Sequence, residues 1–268
     1  MDGVANYEGI KFENGSFTKV SDPLTIEHPL EISINGKPFT VVMQTPGDEE
    51  DLTRGLLFAE DVIQAKTEFK CIAEKNEQNL ITKINVAIPT DQLGDGYLSA
   101  RSLLSVSSCG ICGKQSLEDL QIQKGDSLTN SATKQTYSLA ALFEMQEKMF
   151  QAQSLFQLTG GCHGVAAFSS TGELLAIKED IGRHNAMDKV VGNLLKNNQQ
   201  KQAKIILFSG RISYEIVSKA FRAKISIIMS VSATSTLAID FAKEYGITIL
   251  SFSRNDKSTC YSNCQIIS

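Results

Sequence analysis

Along residues 30–43, LEISINGKPFTVVM, two apolar runs flank Asn35-Gly36. That dipeptide favours a type I′ turn, so the stretch predicts a β-hairpin. The next stretch, GDEEDLTRGLLFAEDVI, opens on four acids, Asp48 to Asp51, then places Leu52, Leu56 and Ala59 at helical spacing. Negative charge suits a helix N-terminus, and the spacing predicts a helix. In ITKINVAI, 81–88, Ile84, Val86 and Ile88 alternate, which predicts a strand. Residues 1–100 therefore read as a small, sheet-rich α+β unit.

Residues 101–135 carry little pattern and read as a junction. Within it, SSCGICGK places Cys109 and Cys112 three positions apart, with Gly110 and Gly113 beside them. The glycines predict a mobile loop there, not a helix or strand. Regular pattern resumes at YSLAALFEMQEKMFQAQSLF, which predicts one long helix with Ser138 as N-cap. GVAAF and ELLAIK predict a hairpin about Ser170-Thr171-Gly172, and HNAMDKVVGNLLK a further amphipathic helix. From Lys204, KIILF, SYEIVSKAFRA, ISIIMS, TSTLAIDFAKEYG and ITILSF alternate strand and helix. Such alternation predicts parallel strands with right-handed crossovers, hence an α/β layered domain over 136–268.

The 268 residues suit one or two domains with a real core. A net charge of −4 argues against a protein that coats nucleic acid, so an anionic ligand must be met by a local pocket. No run approaches the ~20 apolar residues of a membrane span. The polar start, MDGVANYEGIKFENG, lacks a secretory pattern, so the expected location is the cytoplasm. Thiols stay reduced there, and the six cysteines read first as free thiols, metal ligands or catalytic groups.

Ligands of parallel sheets sit beyond the carboxyl ends of the strands. Those ends are followed here by Ser209-Gly210-Arg211, by Ser230 to Thr234 including Ser232, by Ser251-Phe252-Ser253-Arg254, and by Glu179-Asp180-Ile181-Gly182-Arg183-His184-Asn185. Hydroxyls, glycines and arginines at one rim suit phosphate, Arg211 and Arg254 being able to grip its oxygens bidentately. Asp180 or Glu179 could accept hydrogen bonds from a base or ribose, with His184 shaping the pocket. The plainer alternative is that strands simply end in polar turns. Neither a Walker loop nor G-x-G-x-x-G is present. Gly160-Gly161-Cys162-His163 adds glycines that allow close approach to a ligand, and His163 as an acid, base or hydrogen-bonder; a helix-stop loop with a core histidine is the alternative.

The Cys109/Cys112 pair admits four readings. Structural zinc would need Cys260 and Cys264 as the remaining ligands. A zinc deaminase built with His163 lacks its glutamate, since Val165 stands there. A thioredoxin-like dithiol lacks an upstream strand and aromatic. A nucleophilic thiolate on a swinging loop, its pKa lowered by Lys114, accounts for the loop and for a separate anion pocket.

SSCGICGKQSLE, LTGGCHGVAAF, GELLAIKEDIGRHNAMDKVVG, SGRISYEIVSKA and VSATSTLAIDFAKEYGITILSF together resemble the FdhD family of formate dehydrogenase accessory sulfurtransferases, and INGKPFTVVMQTPGDEEDLTRGLLFAE resembles its N-terminal part. The resemblance implies a cytidine deaminase-like α/β/α fold for the C-terminal domain and a homodimer. It implies a persulfide carried on Cys109, with Cys112 its partner. The donor would be a cysteine desulfurase. The acceptor would be the Mo or W of a bis(molybdopterin guanine dinucleotide) cofactor, bound as cargo with no resident metal, and the client formate dehydrogenase. It further implies cofactor contacts along Phe252-Ser253-Arg254-Asn255-Asp256-Lys257. The family commonly has proline where Thr234 stands and glycine where Asn255 stands, and Cys260 and Cys264, outside its motifs, read as incidental thiols. The rival reading is a non-catalytic carrier that protects the cofactor.

Overall fold

The computed structural model describes residues 3–99, 128 and 136–268; Cys109 and Cys112 lie outside them. Among the described residues, β1 (Val4–Glu13) and β2 (Ser16–Thr25) pair only with each other. Their polar and apolar residues carry no one-sided pattern, and sequence reading predicts no element there. β3 (His28–Ile34) and β4 (Lys37–Gln44) form the expected hairpin, with Asn35 and Gly36 at φ 51° and 75° as a type I′ turn requires. α1 (Glu49–Ala59) follows, opened by Glu49, Glu50 and Asp51. β5 (Lys70–Lys75) and β6 (Ile81–Ala87) complete a four-stranded sheet in the order β4-β3-β6-β5, with β6 parallel to β3. α2 (Asp95–Ser99) ends this part of the chain.

The long helix expected over 137–156 is two helices, α3 (Leu139–Ala152) and α4 (Ser154–Thr159). Gln153, with ψ 71°, breaks the ladder between them. The break is held from afar: the Glu179 carboxylate accepts the Leu155 and Phe156 N–H groups at 2.8 Å each. Ser138 stands at the N-cap of α3, but its hydroxyl makes no capping bond.

β7 (His163–Ser169) and β8 (Leu174–Asp180) form the second expected hairpin. α5 (Arg183–Lys196), β9 (Ala203–Phe208), α6 (Tyr214–Arg222), β10 (Ile227–Ser230), α7 (Thr236–Tyr245) and β11 (Thr248–Arg254) follow as the alternation predicts. β9, β10 and β11 are parallel. The sheet as a whole is mixed, because β7 joins β9 antiparallel and an unforeseen β12 (Lys257–Ser262) joins β11 antiparallel. Its order is β12-β11-β10-β9-β7-β8.

Alternate residues of its strands enter two cores, which explains their near-continuous apolar runs. In β9, Ile206 and Phe208 belong to the larger core with α5, α6, α7 and α1. Ile205 and Leu207 belong to the other, with Leu142, Met145 and Met149 of α3. The arrangement is a layered, mixed α/β fold. The larger core continues into the four-stranded sheet through Leu30, Ile32, Ile84 and Val86.

The tail corrects the reading of Cys260 and Cys264 as free thiols: they form a disulfide with each other. Asn263, at φ 49°, turns the chain and leaves the two Cα atoms 5.8 Å apart, within normal bridging range. This pairing also removes them as ligands for a zinc ion at Cys109 and Cys112. Beyond it the chain returns to α3, where Tyr137 N–H donates to Ile266 O at 2.7 Å and Leu139 N–H to Ser268 O at 2.9 Å.

Candidate ligand cavity at the sheet edge

At the carboxyl ends of β9 and β10 lies a cavity of about 510 Å³. Leu207, Phe208, Ser209 and Val231 form its floor. Gln146, Met149 and Phe150 of α3, with Gln153 and Phe156, form its roof. Gly160 to His163 and Ile181 close one side. The walls are chiefly apolar and aromatic with a few convergent polar groups, the composition that suits a planar organic ring.

Each wall has a local cause. α4 stops because Gly160 takes φ 63°, a left-handed cap suited to glycine. Gly161 passes so close to β2 that a Cβ there would stand 3.0 Å from Thr25 Oγ1. These two turns aim His163 along the first position of β7. Ser209 accepts the Gly164 N–H at 2.9 Å through its hydroxyl oxygen, and the same hydroxyl lies 3.3 Å from His163 Nδ1. Where that hydroxyl donates to Nδ1, the imidazole proton stands on Nε2. Burial lowers the His163 pKa from its ordinary value, as do the Arg183, Arg211 and His184 charges, against an opposing pull from Asp180. His163 is thus neutral at pH 7.

Cationic character gathers beside it. Arg183 opens α5, its Nε buried with no hydrogen-bond partner among the described residues. Arg211 is exposed just beyond β9. Gly210 is packed between His163 and Arg183: a Cβ there would lie 3.3 Å from His163 Nδ1 and 3.4 Å from Arg183 Cβ. Ser230 Oγ donates to Gly210 O at 2.6 Å, and Ser232 N–H donates to Ser230 Oγ at 3.0 Å, so this rim is pre-shaped.

The structure therefore brings Gly160, Gly161, His163 and Ser209 together at the cavity, with Gly210 behind them. The stretch from Phe252 to Lys257 is the β11–β12 hairpin. Arg254, Asn255, Asp256 and Lys257 are exposed at its tip, with Asn255 and Asp256 at φ 52° and 55°. Asparagine and aspartate tolerate this left-handed pair, which accounts for a turn without glycine. Phe252 is exposed, while Ser253 is buried with its hydroxyl against Ser258 Oγ at 2.8 Å. The tip does not line the cavity, but Gln146 of the roof donates to Ser253 O at 2.9 Å and joins the two.

The acids expected to meet a base or ribose are spoken for. Asp180 is fully buried and accepts from Thr45 N, Gly182 N and Asn185 Nδ2, and it pairs with Lys189 Nζ at 2.8 Å. Its task is to tie the β4–α1 connection to α5. Glu179 caps α4, as described above. His184 is buried between α5 and α6, with Nδ1 2.8 Å from Glu215 Oε2 and Nε2 3.4 Å from Ser213 Oγ, and braces the helix starts behind the rim.

Sequence reading missed the helical roof and Cys162. The roof residues look like ordinary core positions of an amphipathic helix, and no local signal separates them. Cys162 is buried in the cavity wall with its thiol 3.4 Å from Glu179 Oε1. Burial and the Glu179 carboxylate push its pKa up to about 12. Among the described residues there is no cluster able to hold a metal ion, and no helix is long and apolar enough to cross a membrane.

The FdhD/NarQ family profile matches residues 25–268. A sulfur carrier protein FdhD of Picrophilus torridus is 36% identical over 249 residues, 91% of each chain. One of Saccharolobus solfataricus is 35% identical over 268 residues, 98% of each chain. A crystal structure from Desulfotalea psychrophila, described as a formate dehydrogenase accessory protein, superposes with a TM-score of 0.75 at 22% identity over 99% of both chains, a likeness of fold. The chain belongs to the FdhD/NarQ family.

Proposed function

We propose that this chain is a sulfurtransferase of formate dehydrogenase maturation. It carries sulfur as a persulfide on Cys109 from a cysteine desulfurase to the Mo or W of a bis(molybdopterin guanine dinucleotide) cofactor, in the cytoplasm. Its six-stranded domain is cytidine deaminase-like. The names borne by its relatives support the sulfur-carrying role.

The chemistry follows from two thiols. The Cys109 thiolate attacks the outer sulfur of the donor persulfide; a new S–S bond forms and the donor cysteine leaves as thiolate. The Cys112 thiolate then attacks the inner sulfur of Cys109. A Cys109–Cys112 disulfide forms, the outer sulfur departs as hydrosulfide to the metal, and the two cysteines have supplied the two electrons. A cellular dithiol reductant restores the pair.

The single observation that carries the cargo assignment is the aromatic-walled cavity beside a cationic rim of Arg183 and Arg211, which have no acidic partner among the described residues. At about 510 Å³ it suits one bicyclic ring, not a whole dinucleotide. His163, neutral with Nε2–H as donor, and the amides of Gln146 and Gln153 supply polar contacts to that ring. Arg183 and Arg211 lie where its phosphates would emerge, with the start of α5 adding its dipole. Arg254 and Lys257 on the hairpin tip extend the positive rim.

The test has two arms. After incubation with a desulfurase and cysteine, mass spectrometry should find one added sulfur on Cys109. Cys109→Ala should then keep guanine nucleotide binding and lose formate dehydrogenase activation. Activation surviving in Cys109→Ala would favour the non-catalytic carrier instead.

A further inference from the structure

We infer that the Cys260–Cys264 disulfide is a redox-sensitive clasp: intact, it holds the tail against α3, and its reduction loosens the roof of the cavity. Cys260 stands on β12 opposite Leu250 of β11, partly buried against the core that holds Leu142, Met145 and Met149 of α3. Cys264, four residues on, is exposed. Between them the chain is fixed to the sheet: the Ser262 hydroxyl donates to Ile247 O at 2.7 Å, and Asn263 Nδ2 donates to the same oxygen at 3.0 Å. Past Cys264, no described backbone hydrogen bond of the tail reaches the sheet. The disulfide is the link that joins the tail to this fixed point.

What the tail holds is the start of α3. Tyr137 and Ile267 form a parallel bridge, and Ser268 N–H donates to Tyr137 O at 2.9 Å. The Ser138 hydroxyl makes no capping bond, so Ser268 O serves in its place, accepting from Leu139, the first residue of the helix. Ile266 and Ile267 pack on the same core as Leu142, Met145 and Met149. Two turns further along, α3 presents Gln146, Met149 and Phe150 to the cavity. The tail is thus the anchor for one end of the roof, and the break at Gln153 marks the other.

Exposure sets the order of the chemistry. A dithiol reductant, of the class the sulfur-transfer cycle already calls for, attacks the accessible sulfur of Cys264. A mixed disulfide forms there, and Cys260 leaves as thiolate. The second thiolate of the reductant then breaks the mixed bond; Cys264 leaves as thiolate, and the reductant departs as its own disulfide. Two electrons have entered the chain, and exchange with the oxidised reductant reverses both steps. Disulfides persist in oxidising compartments; in a cytoplasmic chain, the location proposed above, they are chiefly catalytic or redox-sensing. The consequence for cargo rests on the cavity assignment under Proposed function, whereas the clasp itself does not.

Amide hydrogen exchange of the full chain, equilibrated with oxidised glutathione and then with dithiothreitol, tests this. After reduction the Tyr137, Leu139 and Ser268 amides should exchange about tenfold faster or more, the scale expected for opening a closed loop. Amides of α3 from Leu142 to Phe150 should quicken with them, while Ala238 of α7 stays unchanged. Cys264→Ser should show the reduced pattern without reductant, which separates the clasp from every other thiol. Guanosine diphosphate, used as the probe, should bind severalfold more weakly to the reduced chain and to Cys264→Ser. Three results would overturn the inference: free thiols at 260 and 264 after oxidised glutathione, exchange alike in both states, or faster exchange confined to the tail with α3 unmoved. Guanosine diphosphate that binds neither state, with exchange as expected, would count against the cavity assignment alone and leave the clasp standing.

Discussion

Gly55 of α1 and Gly192 of α5 stand against each other's backbone where the two helices cross. A Cβ on Gly192 would fall 1.8 Å from Asp51 O and 2.8 Å from Gly55 N; a Cβ on Gly55 would fall 1.9 Å from Asp188 O. This crossing joins the four-stranded sheet to the six-stranded one, and neither glycine lies at a helix end. Each costs its helix about 1 kcal/mol relative to alanine, so propensity alone favours replacement. The clash is with backbone, which cannot give way without parting the helices. Gly55→Ala and Gly192→Ala are therefore expected to destabilise by about 3 kcal/mol or more in denaturant unfolding. Gly9→Ala, whose Cβ would meet Val20 at an ordinary 3.7 Å, should change little. Equal midpoints for all three would refute the tight crossing.

Lys189 and Asp180 make a second joint at the same junction. Their side chains are 1% and 0% exposed, and Lys189 Nζ also donates to Thr45 O at 2.6 Å. Lys189→Met removes the cation paired with a buried carboxylate, and such a loss costs roughly 3–5 kcal/mol. Adding Asp180→Asn should recover part of the loss, since the uncompensated charge goes with it. Urea unfolding of the two variants checks the order; a double variant no more stable than the single would contradict it.

His163 titrates with a depressed pKa, and the sign of its effect on stability follows. Between its folded value and about 6.5 the unfolded chain binds the proton more readily. Its contribution is therefore intact above pH 6.5 and is lost as pH falls through the folded pKa. Burial is the leading cause and Arg183 the next. Arg183→Met should raise the pKa seen in imidazole NMR by removing a repelling charge, and Ser209→Ala should weaken the preference for the Nε2–H tautomer. A His163 titration at 6.5 in the unaltered chain would remove the case for a neutral donor in the cavity.

Much of this was legible from local pattern. Asn35-Gly36 and the alternating runs after Lys204 each declare themselves within a few residues, and the strands and helices there fall as read. The failures share one physical origin, contacts that are distant in sequence. Nothing near Gln153 announces a helix break, because the group that restarts the helix is Glu179. Asp180 and Glu179 look available to a ligand until Thr45, Lys189 and α4 arrive to occupy them. The cavity was legible in its glycine turn and in Ser209, where backbone need limits residue choice. It was illegible in its roof, where Met149, Phe150 and Phe156 are apolar for a helix's ordinary reasons.

Cys162 provides the sharpest check on where sulfur travels. It stands in the cavity wall, nearer the proposed cargo than any other described free thiol, and position alone would make it a relay. Its surroundings argue the reverse. The thiol is buried and donates to Glu179, and the carboxylate penalises a neighbouring thiolate. With a pKa of about 12, only about one molecule in ten thousand holds the thiolate at pH 8, and the thiolate is the form that attacks a persulfide. Cys162 should therefore resist alkylation in the native protein at pH 8 and react only on unfolding. After exposure to a persulfide donor it should carry no added sulfur, and Cys162→Ser should retain formate dehydrogenase activation. Glu179→Gln lifts the electrostatic part of the penalty and should quicken alkylation of Cys162, at some cost to the start of α4. Rapid native labelling of Cys162, or a persulfide mapped to it, would place the sulfur path through the cavity wall and remove Cys109 as its sole carrier.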